Sequence, residues 1–187
     1  MRIIAGKHSS RKLITLPGNA TRPTLDKVKG AVFSSLGGFF EGGVFLDLYA
    51  GSGACGLEAL SRGMDRAVFV DQSAKAAGII RKNIEALGEK ENSRVLVMKD
   101  MNALSLMEEE GTRIDLVYLD PPYKAQKNEE VLKYLSDHDM MAKGARAVIE
   151  SEKEDEYPQR IGRFTLYKNA VYGITKISYY RLSEEIL

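Results

Sequence analysis

The amino-acid sequence predicts an α/β fold: a mostly parallel sheet with helices on both faces and an antiparallel hairpin at its C-terminal end. Three observations carry the prediction. Short apolar runs alternate with segments of helical periodicity between residues 44 and 149, an order that calls for parallel strands joined by right-handed crossovers. Residues 44–62, VFLDLYAGSGACGLEALSR, read as a buried strand, a glycine turn and a helix in direct succession. Beyond Tyr157 two strand-like runs, 164–167 and 174–182, follow one another with no helix between them, as in an edge hairpin.

In chain order, runs 2–4 and 12–16, joined by AGKHSSR, predict two short strands in a basic-tipped hairpin closed by Pro17 and Gly18. A helix follows from Thr24 as N-cap to Leu36. Leu25, Val28, Val32 and Leu36 fall on one face of it, and Gly37 and Gly38 end it. In the central stretch Val44, Phe45, Leu46 and Leu48 make the strand, and a helix from about Ser52 carries Leu57, Ala59 and Leu60 before stopping at Gly63. Next come a strand at 66–70, a helix at 73–87 ended by Gly88, a strand at 94–98, a short weak helix at 101–110, a strand at 114–119, a helix at 128–135 and a strand at 145–149.

At 187 residues and 44% hydrophobic content the chain can bury one substantial core and is too short for two full domains. A single domain over 1–187 is expected, with residues 1–22 as a basic hairpin appended to it. The lone Cys55 excludes an internal disulfide, and His8 and His138 are too far apart in sequence to suggest a metal site. The N-terminus turns polar after Ile4 and no apolar run reaches membrane-spanning length, so a cytoplasmic protein is expected, without signal peptide or membrane helix.

The net charge of +1 conceals an asymmetry. Residues 1–29 hold Arg2, Lys7, Arg11, Lys12, Arg22, Lys27 and Lys29 against Asp26 alone, a balance of +6 that leaves the remainder at −5. Such segregation points to a polyanion, nucleic acid first, and is equally compatible with a solvated face.

Gly51, Gly53 and Gly56 satisfy G-x-G-x-x-G, and Asp71 ends the next apolar run, so a dinucleotide reading is available. Asp47 points elsewhere. A carboxylate inside the strand before the glycines suits a positively charged cofactor better than a diphosphate, and S-adenosylmethionine is such a cofactor. Its sulfonium and ammonium groups want carboxylates, and its ribose hydroxyls an acceptor such as Asp71. The competing reading makes Asp47 a helix-capping or solvated carboxylate.

A second constellation is LDPPY, residues 119–123, at the carboxyl end of a strand, the edge where open α/β sheets bind ligands; this loop is expected to face the same crevice as the glycine turn. Two successive prolines stiffen the turn and remove donors, leaving the carbonyls of Asp120 and Pro121 as acceptors. An exocyclic base amine needs acceptors, because its lone pair is delocalised until both hydrogens are held. Tyr123 offers a face on which a base can stack, worth about 1–3 kcal/mol. Taken alone, the loop also reads as a proline turn with a structural tyrosine.

Together these motifs resemble Class I S-adenosylmethionine-dependent methyltransferases, and among them the 16S ribosomal RNA guanine-N2 methyltransferases of the RsmD type. The resemblance runs from RIIAG through RPTLDKVKGAVFSSL, FLDLYAGSGACGLEALSRG, FVDQSAKAAGIIRKNI and LDPPY to YGITKISYY. It implies a Rossmann-like sheet of seven strands and a cofactor pocket formed by Thr24, Asp47, Tyr49, Gly51, Gly53, Asp71, Gln72, Asp100, Met101 and Asp120. Asp71 is implied to meet the ribose, and Asp100 with Met101 the adenine. Asp120, Pro121 and Tyr123 are implied to hold the target base. The implied partner is 16S ribosomal RNA, in an assembling small subunit, bound by a monomer through Arg2, Lys7, Arg11, Lys12 and Arg22. Ala5, Ser9, Ser10 and Gly30 depart from the family pattern, and these departures bear on RNA docking. An adenine-N6 methyltransferase sharing DPPY, an NAD-dependent oxidoreductase and an inactive RNA-binding module are the alternatives.

Overall fold

The computed structural model describes residues 1–17, 23–122 and 126–184, which divide into two compact units, Met1–Asp100 and Met101–Leu187. Gly18, Arg22 and Tyr123 lie outside the described residues, as does the side chain of Thr24.

In the first unit the elements are α1 (Pro23–Ser35), β1 (Val44–Asp47), α2 (Ala54–Ser61), β2 (Arg66–Asp71), α3 (Ala74–Leu87), a single 3₁₀ turn (Lys90–Asn92) and β3 (Ser93–Val97). The strands lie in the order β3-β2-β1, all parallel, with Asp47 beside Phe69 and Asp71 beside Val97. Phe45, Leu46 and Phe69 are fully buried, and Phe33 of α1 stacks on Phe45 with ring centroids 6.2 Å apart. Helix α3 is closed at both ends by its own sequence. The Ser73 hydroxyl accepts from the Ala76 amide, and Gly88 adopts φ 69° to return its amide to α3. Helix α1 differs from expectation: it begins at Pro23, so Thr24 lies inside its first turn and is not the N-cap. Proline's preset φ and missing N–H suit the first helical position.

The N-terminal arm is also simpler than the predicted hairpin. In place of two strands there is one antiparallel bridge, Arg2 to Lys12, with the Ile3 amide donating to the Arg11 carbonyl. The donors that a ladder needs are used by the helices beneath. Ile4 and Ala5 donate their amides to the Glu58 carboxylate, Lys7 to the Ser61 carbonyl, and Ile14 to the Asn83 side chain. The arm is therefore clamped onto α2 and α3 through Glu58, Ser61 and Asn83.

The second unit holds most of α4 (Asp100–Glu109), then β4 (Ile114–Leu119), α5 (Asn128–Asp137), β5 (Met141–Glu152), β6 (Arg160–Ile161), β7 (Phe164–Tyr172) and β8 (Thr175–Leu182). Its strand order is β4-β5-β8-β7-β6. Strands β4 and β5 run parallel, while β5, β8, β7 and β6 pair antiparallel, as the helix-free C-terminal segment requires. The eighth strand, β6, was not expected. Two residues folded back around Gly162, whose φ is 56°, leave no periodicity to read. Strand β5 begins earlier than 145 because Met141 pairs with Ile114 ahead of a register irregularity that interrupts the alternation. Among the described residues no helix is long and apolar enough to cross a membrane.

Candidate active site

The glycine turn between β1 and α2 is formed by residues in left-handed conformation, Gly51 at φ 56° and Gly53 at φ 83°, closed by the Gly53 amide donating to the Ala50 carbonyl at 2.7 Å. Gly56 has a different task. A Cβ there would lie 2.3 Å from the Phe69 ring, so its absence lets α2 settle on β2. The N-cap of α2 is Gly53, which has no side chain to cap with, and the buried Asp47 supplies the missing acceptor: its Oδ2 takes the Gly56 amide at 3.1 Å.

Two further carboxylates are tied to the same segment. Asp71 accepts from the Gly51 amide through Oδ2 at 3.0 Å and from the Ser73 amide through Oδ1 at 2.9 Å, so it joins the glycine turn to the start of α3. Asp100 accepts the Tyr49 hydroxyl at 2.8 Å. Burial, then the Asp100 hydrogen bond and charge, push the Tyr49 phenol far above its usual range, which keeps it a donor. Gln72 is exposed between Asp71 and the α3 cap. This set of carboxylate acceptors suits a cation bearing hydroxyl groups. A Cβ on Gly51 would meet no atom within 4 Å, so this face of the turn is open to a ligand. A diphosphate is disfavoured, because the Asp47 carboxylate stands at the start of α2 and already holds the Gly56 amide. Among the described residues no group of His, Cys, Asp or Glu could hold a metal ion.

In the second unit Asp120 is exposed at the carboxyl end of β4, followed by a buried Pro121 and an exposed Pro122. Two residues earlier, the buried Tyr118 donates its hydroxyl to Glu150 Oε2 at 2.6 Å. Burial pushes the Glu150 carboxyl upward, against the opposing effect of the Tyr118 bond. Glu150 was missed in the sequence, and the signal was available: an acid directly after the apolar run Ala147, Val148, Ile149.

On the arm, Arg2, Lys7, Arg11 and Lys12 are exposed, but they are not equivalent. The Lys7 ammonium sits 2.7 Å from the Glu89 carboxylate, and Arg11 donates to the Ala86 carbonyl at 2.7 Å. Lys29, counted with the basic segment, is buried against Glu58.

The family model Conserved hypothetical protein 95 matches residues 1–181. Escherichia coli ribosomal RNA small subunit methyltransferase D is 34% identical over 173 residues, covering 92% of this chain and 85% of that protein. The chain belongs to the RsmD family. Bacillus subtilis YlbH, provisionally named an rRNA methyltransferase, is 36% identical over 97% of this chain and 98% of its own length. Among solved structures, Escherichia coli yhhF, provisionally titled a methyltransferase, superposes with a TM-score of 0.82 at 32% identity and 99% coverage of each chain. An RNA methyltransferase from Salinibacter ruber, crystallised with S-adenosyl-L-homocysteine, shares the fold with a TM-score of 0.66 at 18% identity over 89% of this chain and 97% of that one.

Proposed function

We propose that this protein methylates the exocyclic N2 amine of a guanine in 16S ribosomal RNA, with S-adenosylmethionine as donor. The observation that carries the cofactor reading is the Asp47 carboxylate on the Gly56 amide of α2, which puts negative charge where a dinucleotide would need its opposite. Membership of a family whose relatives are named for ribosomal RNA methylation supports the substrate class. When bound, S-adenosylmethionine supplies an electrophilic methyl group.

Each Asp71 oxygen holds one backbone amide and keeps a lone pair that suits a ribose hydroxyl. Tyr49 orients Asp100, which with Met101 is assigned to the adenine. Thr24 and Gln72 are assigned to the rim of the pocket. Asp120 and the Pro121 carbonyl are the acceptors for the two hydrogens of the amine, and Tyr123 is the stacking surface for the base. With both hydrogens held, the amine lone pair is freed for in-line attack, and no covalent enzyme intermediate is needed. Positioning and electrostatics then supply most of the rate. Arg2, Lys7, Arg11, Lys12 and Arg22 are assigned to RNA phosphates. The working form is a cytoplasmic monomer acting on an assembling small subunit.

The test is nucleoside mass spectrometry of small-subunit ribosomal RNA from cells lacking the protein, with the purified protein and labelled donor added back. Loss and restoration of N2-methylguanosine is the expected result. Restoration of N6-methyladenosine instead would assign the shared DPPY motif to adenine chemistry.

A further inference from the structure

The antiparallel part of the second unit bears, on one face, a layer of aromatic rings and cations that the reaction does not use. Arg146 is paired with Arg181 across β5 and β8, and Arg181 with Thr165 across β8 and β7, so the three share a face. Tyr179, two residues before Arg181, lies on it too. The Arg181 guanidinium carbon sits 4.7 Å from the Tyr167 ring centroid, the Lys168 ammonium 5.3 Å from that of Tyr179, and the two rings are 6.0 Å apart.

Consecutive residues in a regular strand point to opposite faces, yet Tyr167 and Lys168 both reach this one. The cause is a register shift in β7: Leu166 faces Tyr180 and Lys168 faces Tyr179, leaving Tyr167 as the extra residue of a bulge. The bulge doubles the stacking and charged groups available at that point. Beside it is a recess of about 390 Å³ lined by Gly144, Thr165, Tyr167 and Arg181, with Leu182, Ser183 and Glu184 at its margin. Glu184 is 4.0 Å from the Lys143 ammonium, which offsets its charge. Among the described residues neither Arg146 nor Arg181 is in an ion pair, in contrast to Lys7 and Lys29 near the N-terminus.

We propose that this face is a docking platform for a single-stranded RNA segment, with bases stacking on the Tyr167 and Arg181 planes and phosphates meeting Arg146, Arg181 and Lys168. The exposed Tyr167 ring, set among cations and backed by the buried Tyr179, matches unpaired nucleic acid, whose bases have π-faces and whose linkages carry charge. An acidic polypeptide would use the cations and leave the rings idle. The proposal rests on the ribosomal RNA reading and adds a second contact region to it.

The experiment is fluorescence anisotropy with a labelled single-stranded RNA oligonucleotide and with transcribed 16S ribosomal RNA, over a salt series. S-adenosyl-L-homocysteine binding by calorimetry serves as a fold control. Tyr167→Ala with Arg181→Ala is expected to weaken RNA binding by about tenfold or more and to reduce the salt slope by about one. Tyr167→Phe keeps the ring and is expected to bind as wild type. Equal RNA binding and methyl transfer by the double variant and wild type would overturn the platform and leave the methyltransferase reading standing. Wild-type protein that neither binds RNA nor transfers methyl would overturn both. Competition by polyglutamate, insensitive to Tyr167→Ala, would overturn the stacking role.

Discussion

Glu58 and Lys29 are both buried, with the carboxylate 3.5 Å from the ammonium. The same carboxylate takes the amides of Ile4 and Ala5 and lies 3.3 Å from Arg62 Nε, while Lys29 donates to the Arg2 carbonyl at 2.5 Å. One acid therefore ties α1, α2 and the N-terminal arm together. Glu58→Ala leaves two buried cations without their counter-charge, and unfolding in urea is expected to show a loss of about 3–5 kcal/mol. Adding Lys29→Met should recover part of that loss. A double variant as unstable as the sum of the singles would show that the pair is not coupled.

Glu89 links the arm to the end of α3 by accepting from Lys7, His8 and Asn92. Burial pushes its carboxyl up, but the three hydrogen bonds outweigh burial and hold it below the usual carboxylate range. A depressed carboxylate stabilises the fold above its unfolded pKa, and that stability is lost as pH falls through the folded value. Melting temperature should therefore fall more steeply below about pH 4.3 in wild type than in Glu89→Gln. Parallel curves for the two proteins would remove Glu89 from the acid response.

Gly56 is set by packing, since its own φ is not positive. Gly56→Ala forces a methyl group to within 2.3 Å of the Phe69 ring unless α2 shifts. Overpacking of this kind costs about 1–3 kcal/mol, and the shift should weaken S-adenosyl-L-homocysteine binding. Phe69→Leu in the same chain should restore much of both. Calorimetry that shows unchanged affinity for Gly56→Ala would separate the turn from the cofactor.

Asp120 is the acceptor assigned to the amine. Asp120→Ala is expected to lower kcat by about 10²–10³-fold or more, while S-adenosyl-L-homocysteine affinity stays within a few-fold, as for an interaction made mainly in the transition state. Retained turnover would remove it from that role.

Much of the core was legible beforehand for local reasons. Strand β4 falls on the residues its apolar run predicts, and α3 ends where Ser73 and Gly88 set it, because caps and glycines act within a turn of themselves. The two-residue β6 and the bulge at Tyr167 were not legible, since each depends on which strand lies alongside. The N-terminal arm shows the same limit. Its residues alternate as strands do, but Glu58, Ser61 and Asn83 take the backbone donors that pairing would have used.

By itself, then, the sequence determined the alternation of strands and helices, the glycine turn, the LDPPY loop and the family, all of which depend on neighbours a few residues apart. Tertiary structure decided what the charged groups do. Asp47 became the cap of α2 because Gly53 has no side chain, Asp71 became a bridge between two turns, and Lys7 and Lys29 were drawn into ion pairs with Glu89 and Glu58. The strength of a charge's interactions depends on its distance to partners and on burial, and residues 29 or 82 positions apart become partners only when the chain has folded.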